Sequence, residues 1–294
     1  MHGVINSKAA PAPIGPTSEG FFPGLSEANY NALPHIRRSQ LEWLGVPPEF
    51  RPDRYAYFVE HPEERPTFAT AAYKSAYHAR VNTPELYRAR YIVVDKKTAA
   101  LKEQHGDDFL LNRTEAAKIE QRYEALMRCD EVLNLLDAVE HFEPTGLYRC
   151  PWTGLLRKVR YDWYAPSLRT ICDLKLVKSI SDHEISTHIA GYGYHRQDAT
   201  YMQGAQVLEL PVDEFLFIFQ EEKAPYGVKI ISLTDEARAV AEQQVRAQMR
   251  CLQTCMALDE WAGPSAAGRK KIGLPRWESA ETLYNNNDVE KHDE

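Results

Sequence analysis

The stretch Arg169-Thr170-Ile171-Cys172-Asp173-Leu174-Lys175-Leu176-Val177 decides how this chain folds. Its apolar and β-branched residues read as a strand, and a strand sends side chains i and i+2 to the same face. Asp173 and Lys175 therefore share one face, while Cys172, Leu174 and Leu176 share the other, the face a strand packed on a core would bury. Upstream, Leu156 to Tyr164 also reads as a strand, and Ala165-Pro166-Ser167 supplies the turn between the two. Such a hairpin brings Asp162 beside Asp173.

Two carboxylates converging at the end of a hairpin make a hard oxygen site of the kind Mg²⁺ or Mn²⁺ prefers, with water and substrate phosphate completing the coordination. A metal there polarises a phosphoryl oxygen and generates hydroxide at neutral pH. Lys175 is placed to orient the attacking water or to offset charge developing on the phosphate. An Asp-x-Lys tripeptide alone is common and ordinarily forms only a solvated face. What distinguishes this one is its surroundings: an aspartate on the preceding strand, apolar neighbours, and a following helix with Gln197 and Tyr201 four apart on one face. Read without further context, Tyr194, Gln197 and Tyr201 at helical spacing equally suit packing of that helix on the sheet.

In this order the segments resemble the PD-(D/E)XK nucleases, and within them the RecE or exonuclease VIII type of phage and prophage exonuclease. Trp152-Thr153-Gly154-Leu155-Leu156-Arg157-Lys158-Val159-Arg160-Tyr161-Asp162 looks like that family's first acidic motif, and Asp173-Leu174-Lys175 looks like its second. Gly191-Tyr192-Gly193-Tyr194-His195-Arg196-Gln197, running on to Tyr201, is similar to its tyrosine–glutamine helix, and Phe215 to Val228 looks like its late β-hairpin. The likeness covers about residues 25 to 280.

The resemblance implies an α/β core, a central mixed β-sheet flanked by helices, that hydrolyses DNA phosphodiesters with Mg²⁺ (or Mn²⁺). It implies a metal site at His78, Asp162, Asp173 and Leu174, with Asp162, Asp173, Lys175 and Gln197 as the catalytic group and Tyr194 and Tyr201 supporting it. His78 lies in Lys74-Ser75-Ala76-Tyr77-His78-Ala79-Arg80-Val81, followed by Pro84-Glu85-Leu86-Tyr87. Gln197 takes a supporting place beside the metal ligands or the DNA backbone. The resemblance further implies a processive 5′-to-3′ exonuclease on double-stranded DNA ends, leaving 3′ single strands for an annealing protein in recombination, and a ring-shaped homo-oligomer. Polarity, processivity and ring do not follow from the residues themselves. Three other readings stand beside it: another PD-(D/E)XK nuclease, restriction-like or of the CRISPR-adaptation type; a DNA-end-binding scaffold without turnover; or an unrelated enzyme with a coincidental Asp-x-Lys strand.

Composition agrees with an enzyme, since 294 residues with 44% hydrophobic content bury one substantial core. A formal net charge of −7 is unsuited to a passive DNA-binding module, which relies on phosphate neutralisation. Local basicity suffices for an enzyme, and Arg157, Lys158, Arg160, Arg169, Lys175 and Lys178 outnumber Asp162 and Asp173 along the hairpin. No run approaches the ~18 apolar residues of a membrane span, and no basic-then-apolar leader opens the chain, so a cytoplasmic protein is expected. Five cysteines at irregular spacing favour free thiols, and Cys251 and Cys255, four apart, fall short of an iron–sulfur ligand set.

Residues 1–24, rich in Pro, Gly, Ala and Ser, read as a loose arm, residues 25–280 as the nuclease domain, and residues 281–294 as a polar tail. Within the domain, Ile36 to Leu41 resembles the family's opening helix, 45–66 reads as a loop, Ala69 to Val81 as the helix carrying His78, and Asn112 to His141 as one long helix with Glu115 completing an N-cap signal. Arg37 and Arg38 read as phosphate contacts or as a solvated face. Strands at Glu214–Gln220 and Val228–Leu233 extend the sheet, and a helix over Asp235 to Trp261, followed by Leu274-Pro275-Arg276-Trp277, closes the domain and offers an oligomer contact.

Overall fold

The computed structural model describes residues 18–66 and 71–263. The expected tail and the Leu274–Trp277 segment lie outside the described residues, as does most of the expected arm. Along the chain, β1 (Gly20–Phe22), α1 (Glu27–Ala32), β2 (Ile36–Arg37), α2 (Arg38–Leu44) and α3 (Pro52–Glu60) lead to α4 (Ala71–Asn82), α5 (Pro84–Arg90), β3 (Ile92–Val94), α6 (Ala99–His105) and β4 (Leu110–Asn112). Then α7 (Arg113–Leu126) and α8 (Asp130–Asp137) precede β5 (His141–Phe142), β6 (Thr145–Arg149), β7 (Leu156–Arg160), β8 (Trp163–Ala165) and β9 (Thr170–Val177). The remaining elements are α9 (Asp182–Gly191), α10 (Tyr194–Val207), β10 (Glu214–Glu221), β11 (Val228–Ile231) and α11 (Asp235–Leu258).

The architecture is α/β, with a mixed five-stranded sheet in the order β11-β10-β9-β8-β5. β9 sits at its centre, antiparallel to β8 and parallel to β10, with Asp173 opposite Phe217 and Lys175 opposite Phe219. Burial on both faces explains why β9 reads as a nearly continuous apolar run. On one face Cys172, Leu174 and Leu176 join Ala76, Tyr77, Ile119, Leu126, Val132 and Leu135 from α4, α7 and α8. On the other, Ile171 and Val177 pack with Phe215, Phe217 and Phe219, which alternate along β10 toward α9 and α10. Fully burying each of these phenylalanines contributes about 2–3 kcal/mol. Asp173 and Lys175 thus emerge within an apolar face, held by core on either side.

A second, four-stranded sheet runs β1-β6-β7-β2, and a parallel β3–β4 pair stands apart. The expected single strand Leu156–Tyr164 is in fact two, β7 in the four-stranded sheet and β8 in the five-stranded one. Tyr161 and Asp162 carry the chain across, held by Tyr161 N–H to the Pro144 carbonyl (3.0 Å) and Glu143 N–H to the Asp162 carbonyl (2.9 Å).

Other expectations are corrected. The fold includes β1, inside the expected arm, because Gly20–Phe22 pairs with Leu147–Thr145. Ile36-Arg37 is a short strand that pairs with Arg157-Lys158 before α2 begins. The 45–66 loop contains α3 and a 3-10 turn, Pro62–Glu64. Prolines 52 and 62 open these helices, where a missing N–H costs nothing. The 112–141 helix is broken at Met127–Cys129, since Cys129 is extended (φ −91°, ψ 108°) and caps α8. The break shifts the buried stripe to Val132 and Leu135. The Asn112–Glu115 capping box is present, with reciprocal bonds of 2.9 and 2.8 Å.

Candidate active site

Asp162 occupies the point where the chain passes from one sheet to the other. β8 pairs with β9 only as far as Cys172, so the Leu174 N–H finds no strand partner on that side. Asp162 Oδ2 accepts it at 3.1 Å. The N–H and C=O of one strand residue face the same edge, so the Leu174 carbonyl also points to this side while its side chain is buried in the opposite core.

His78 enters from α4, with Nδ1 at 3.5 Å from Asp162 Oδ2. Its helix is anchored one turn later, where Asn82 Oδ1 accepts a 2.7 Å bond from the Trp163 indole beside Asp162. Next to His78, the Tyr77 hydroxyl donates to Gln220 Oε1 on β10. Asp173, 3% exposed, pairs through Oδ2 with the Lys175 ammonium and accepts at Oδ1 from the Gln197 amide. Lys175 Nζ also lies 4.7 Å from the Tyr194 ring centroid, a cation–π contact. The structure therefore brings Asp162, Asp173, Lys175, Gln197, His78 and the Leu174 main chain together. Tyr201 lines the same cavity and packs edge-on against Tyr161 and Phe215.

Burial and the Asp173 charge push the Asp162 carboxyl well up, against smaller opposing effects of Lys175 and the Leu174 N–H. Burial lowers the His78 imidazole, favouring the neutral form that ligates metal. Burial works against the Lys175 charge too, but the carboxylate of Asp173 and the Tyr194 hydroxyl outweigh it, and Lys175 ends raised.

The cavity around these groups, about 320 Å³, is also lined by Tyr30, Arg37, Arg38, Ser39, Lys158 and Arg160. Its floor is acidic and its rim basic. Of the six basic residues counted along the hairpin, Lys158, Arg160 and Lys175 reach it. Arg157 is buried against Gln203 (3.0 Å) and Thr200 (3.2 Å) on α10, Arg169 pairs with Asp213, and Lys178 is exposed. Lys158 Nζ donates to the carbonyls of Tyr30 and Leu33, both at 2.7 Å, and burial with the charges of Arg37 and Arg65 lowers its pKa to about 8. Lys158 and Arg160 alternate on β7, so period two could have assigned them to one face. Nothing local marked Tyr30 or the Tyr194–Lys175 contact.

The donors suit a hard divalent cation: two carboxylates, a free-edge carbonyl, and an imidazole. Asp173 Oδ2 is buried, with the Lys175 ammonium as its charge partner. Asp173 engages Lys175 and Gln197, and the donors stay open; among the described residues, the group of three closing within 4.8 Å is His61, Glu63 and Glu64, at a surface turn. A larger cavity of about 410 Å³, lined by Asp95, Lys96, Lys97, Asn112, Arg113 and Thr114, gathers no comparable set.

The family model that matches residues 75–269 is described as a PDDEXK-like domain of unknown function (DUF3799). A similar solved structure is that of a "Putative exonuclease" from Eubacterium rectale, with a TM-score of 0.60 and 14% identity, covering 86% of this chain and 97% of that one. At that identity the likeness speaks for the fold. No curated protein matches the sequence.

Proposed function

This chain belongs to the PDDEXK-like domain family, and we propose that it is a metal-dependent deoxyribonuclease acting on double-stranded DNA ends. The family and the fold support a nuclease. The observation that carries the reading is the convergence of Asp162, Asp173, Lys175 and Gln197 in one cavity with a basic rim.

His78, Asp162, Asp173 and the Leu174 carbonyl would hold Mg²⁺ (or Mn²⁺), which when bound polarises a phosphoryl oxygen and acidifies water. Lys175, kept charged by Asp173, donates to the attacking water or to a non-bridging phosphate oxygen as charge builds there. Gln197 fixes the Asp173 carboxylate so that it faces the cavity. Arg37 and Arg38 bind the backbone phosphates of the incoming strand.

The finer reading is a 5′-to-3′ exonuclease that leaves 3′ single-stranded tails for an annealing protein and works as a ring-shaped homo-oligomer. It rests on the resemblance to the RecE or exonuclease VIII type. Digestion of linear duplex labelled at either end, beside closed circular duplex, tests it. Loss of the 5′-labelled strand from linear DNA alone is the expected result. Cutting of the circle would transfer the same chemistry to an endonuclease.

A further inference from the structure

Three aromatic rings form a ladder from the core to an exposed tyrosine whose carbonyl binds Arg38, a residue of the cavity rim. Phe217, fully buried in β10, stacks on Tyr194 (centroids 6.0 Å apart, planes 29° apart), and Tyr194 stacks on Tyr192 (5.8 Å, 21°). The inner rings are committed, since Tyr194 also carries the Lys175 ammonium on its ring. Tyr192 is not, for it keeps 51% of its surface exposed. His188 supports it at 5.1 Å, tilted by 48°.

The backbone here is built for the display. Gly193, between the two tyrosines, is left-handed (φ +65°), and a side chain there would collide with the Arg196 guanidinium. Only Tyr192 and the left-handed Gly193 separate α9 from α10, and this turn lets residues 192 and 194 stack. The Tyr192 carbonyl accepts a bond from Arg38, a cavity-lining residue whose guanidinium also pairs with Glu42 at 3.4 Å. Glu42 in turn accepts from Arg196 Nε at 3.2 Å, so the turn, the rim arginine and α10 are tied together.

We propose that Tyr192 is a stacking platform for an unpaired nucleobase at the end of the DNA strand being cut, an inference that rests on the nuclease reading. Every base offers a flat π face, and Tyr192 is the exposed outer ring of a ladder whose middle ring, Tyr194, carries the Lys175 ammonium. Arg37 and Arg38 on the neighbouring rim supply the charge for the phosphates flanking that base. A base within a duplex already has both faces stacked, so the platform selects ends that fray.

The test uses full-length protein in EDTA with duplex carrying 2-aminopurine at the terminal position of the cut strand. Wild type and Tyr192→Phe should quench its fluorescence and Tyr192→Ala should not, with an internal 2-aminopurine unaffected by any of the three. In digestions with Mg²⁺, Tyr192→Ala should raise KM about ten-fold and leave kcat in place, and Tyr192→Phe should restore KM. Equal quenching and equal KM in wild type and Tyr192→Ala would overturn the platform while leaving the nuclease standing. A wild type that neither binds nor cuts DNA would overturn both.

Discussion

Asp162 Oδ2 accepts the Leu174 main-chain N–H at 3.1 Å, and this bond brings the two halves of the site together. Asp162 lies on the link between two sheets, and Leu174 lies between Asp173 and Lys175 on the central strand. The bond stands where pairing of β8 with β9 has ended, so it substitutes for a ladder hydrogen bond. The Asp162 carboxylate thereby serves as a structural acceptor, and the free edge it occupies turns the Leu174 carbonyl to the same side.

Lys175 is expected to act on chemistry rather than on metal affinity. Lys175→Ala should slow cleavage by on the order of 10²–10³-fold, the cost of removing one preorganised donor at developing charge. Calorimetric titration with Mn²⁺ should show the variant binding as wild type does. A variant that loses metal and turnover together would place Lys175 among the groups that build the site.

Gln197 is expected to act through Asp173, whose Oδ1 accepts its amide. Gln197→Ala should cost about 10–100-fold in activity or metal affinity. Raised metal concentration should recover part of the loss. Full activity at limiting metal would show that Asp173 needs no such support.

Asp198, one residue on, gives the fold a pH dependence of its own. It is buried, with Arg238 Nε at 3.4 Å from Oδ2, and burial raises its pKa from 3.8 to about 6 against the pull of Arg238. A folded-state value above the unfolded one means that the carboxyl's contribution is full below pH about 4 and lost as pH rises to about 6. The loss is on the order of 3 kcal/mol for a shift of this size. Urea melts of wild type and Asp198→Asn should therefore diverge in the variant's favour between pH 4 and pH 7. A constant gap across that range would contradict the assignment.

The core behind the site sets the last expectation for stability. Phe217 is fully buried, pairs in register with Asp173 and stacks on Tyr194. Phe217→Ala should cost about 3–5 kcal/mol of unfolding free energy, measured by denaturant melts. A loss below 1 kcal/mol would mean that α10 is held to the sheet by other contacts.

Period two made Asp173 and Lys175 legible, because alternation along one strand depends on nothing distant. The α10 face bearing Gln197 and Tyr201 was legible for the same reason, through its helical period. The division of 156–164 between two sheets was not, since both pieces are buried and their apolar pattern runs through the break. Nor was the interruption at Met127–Cys129, which carries neither Gly nor Pro. The helix within 45–66 was not legible either, because a Pro- and charge-rich stretch reads as a loop although Pro52 suits the first turn of a helix. Tyr30, whose carbonyl accepts from Lys158, and the approach of Lys175 to the Tyr194 ring come from tertiary contacts that no local spacing encodes.

The most direct measurement compares wild type with Asp173→Ala on linear duplex DNA, in Mg²⁺ and in EDTA, with DNA binding followed in parallel. The account predicts Mg²⁺-dependent degradation by wild type, none by the variant, and DNA binding largely retained by both, since one metal ligand is lost while the rim contacts survive. Cleavage by Asp173→Ala at the wild-type rate would contradict the site assigned here.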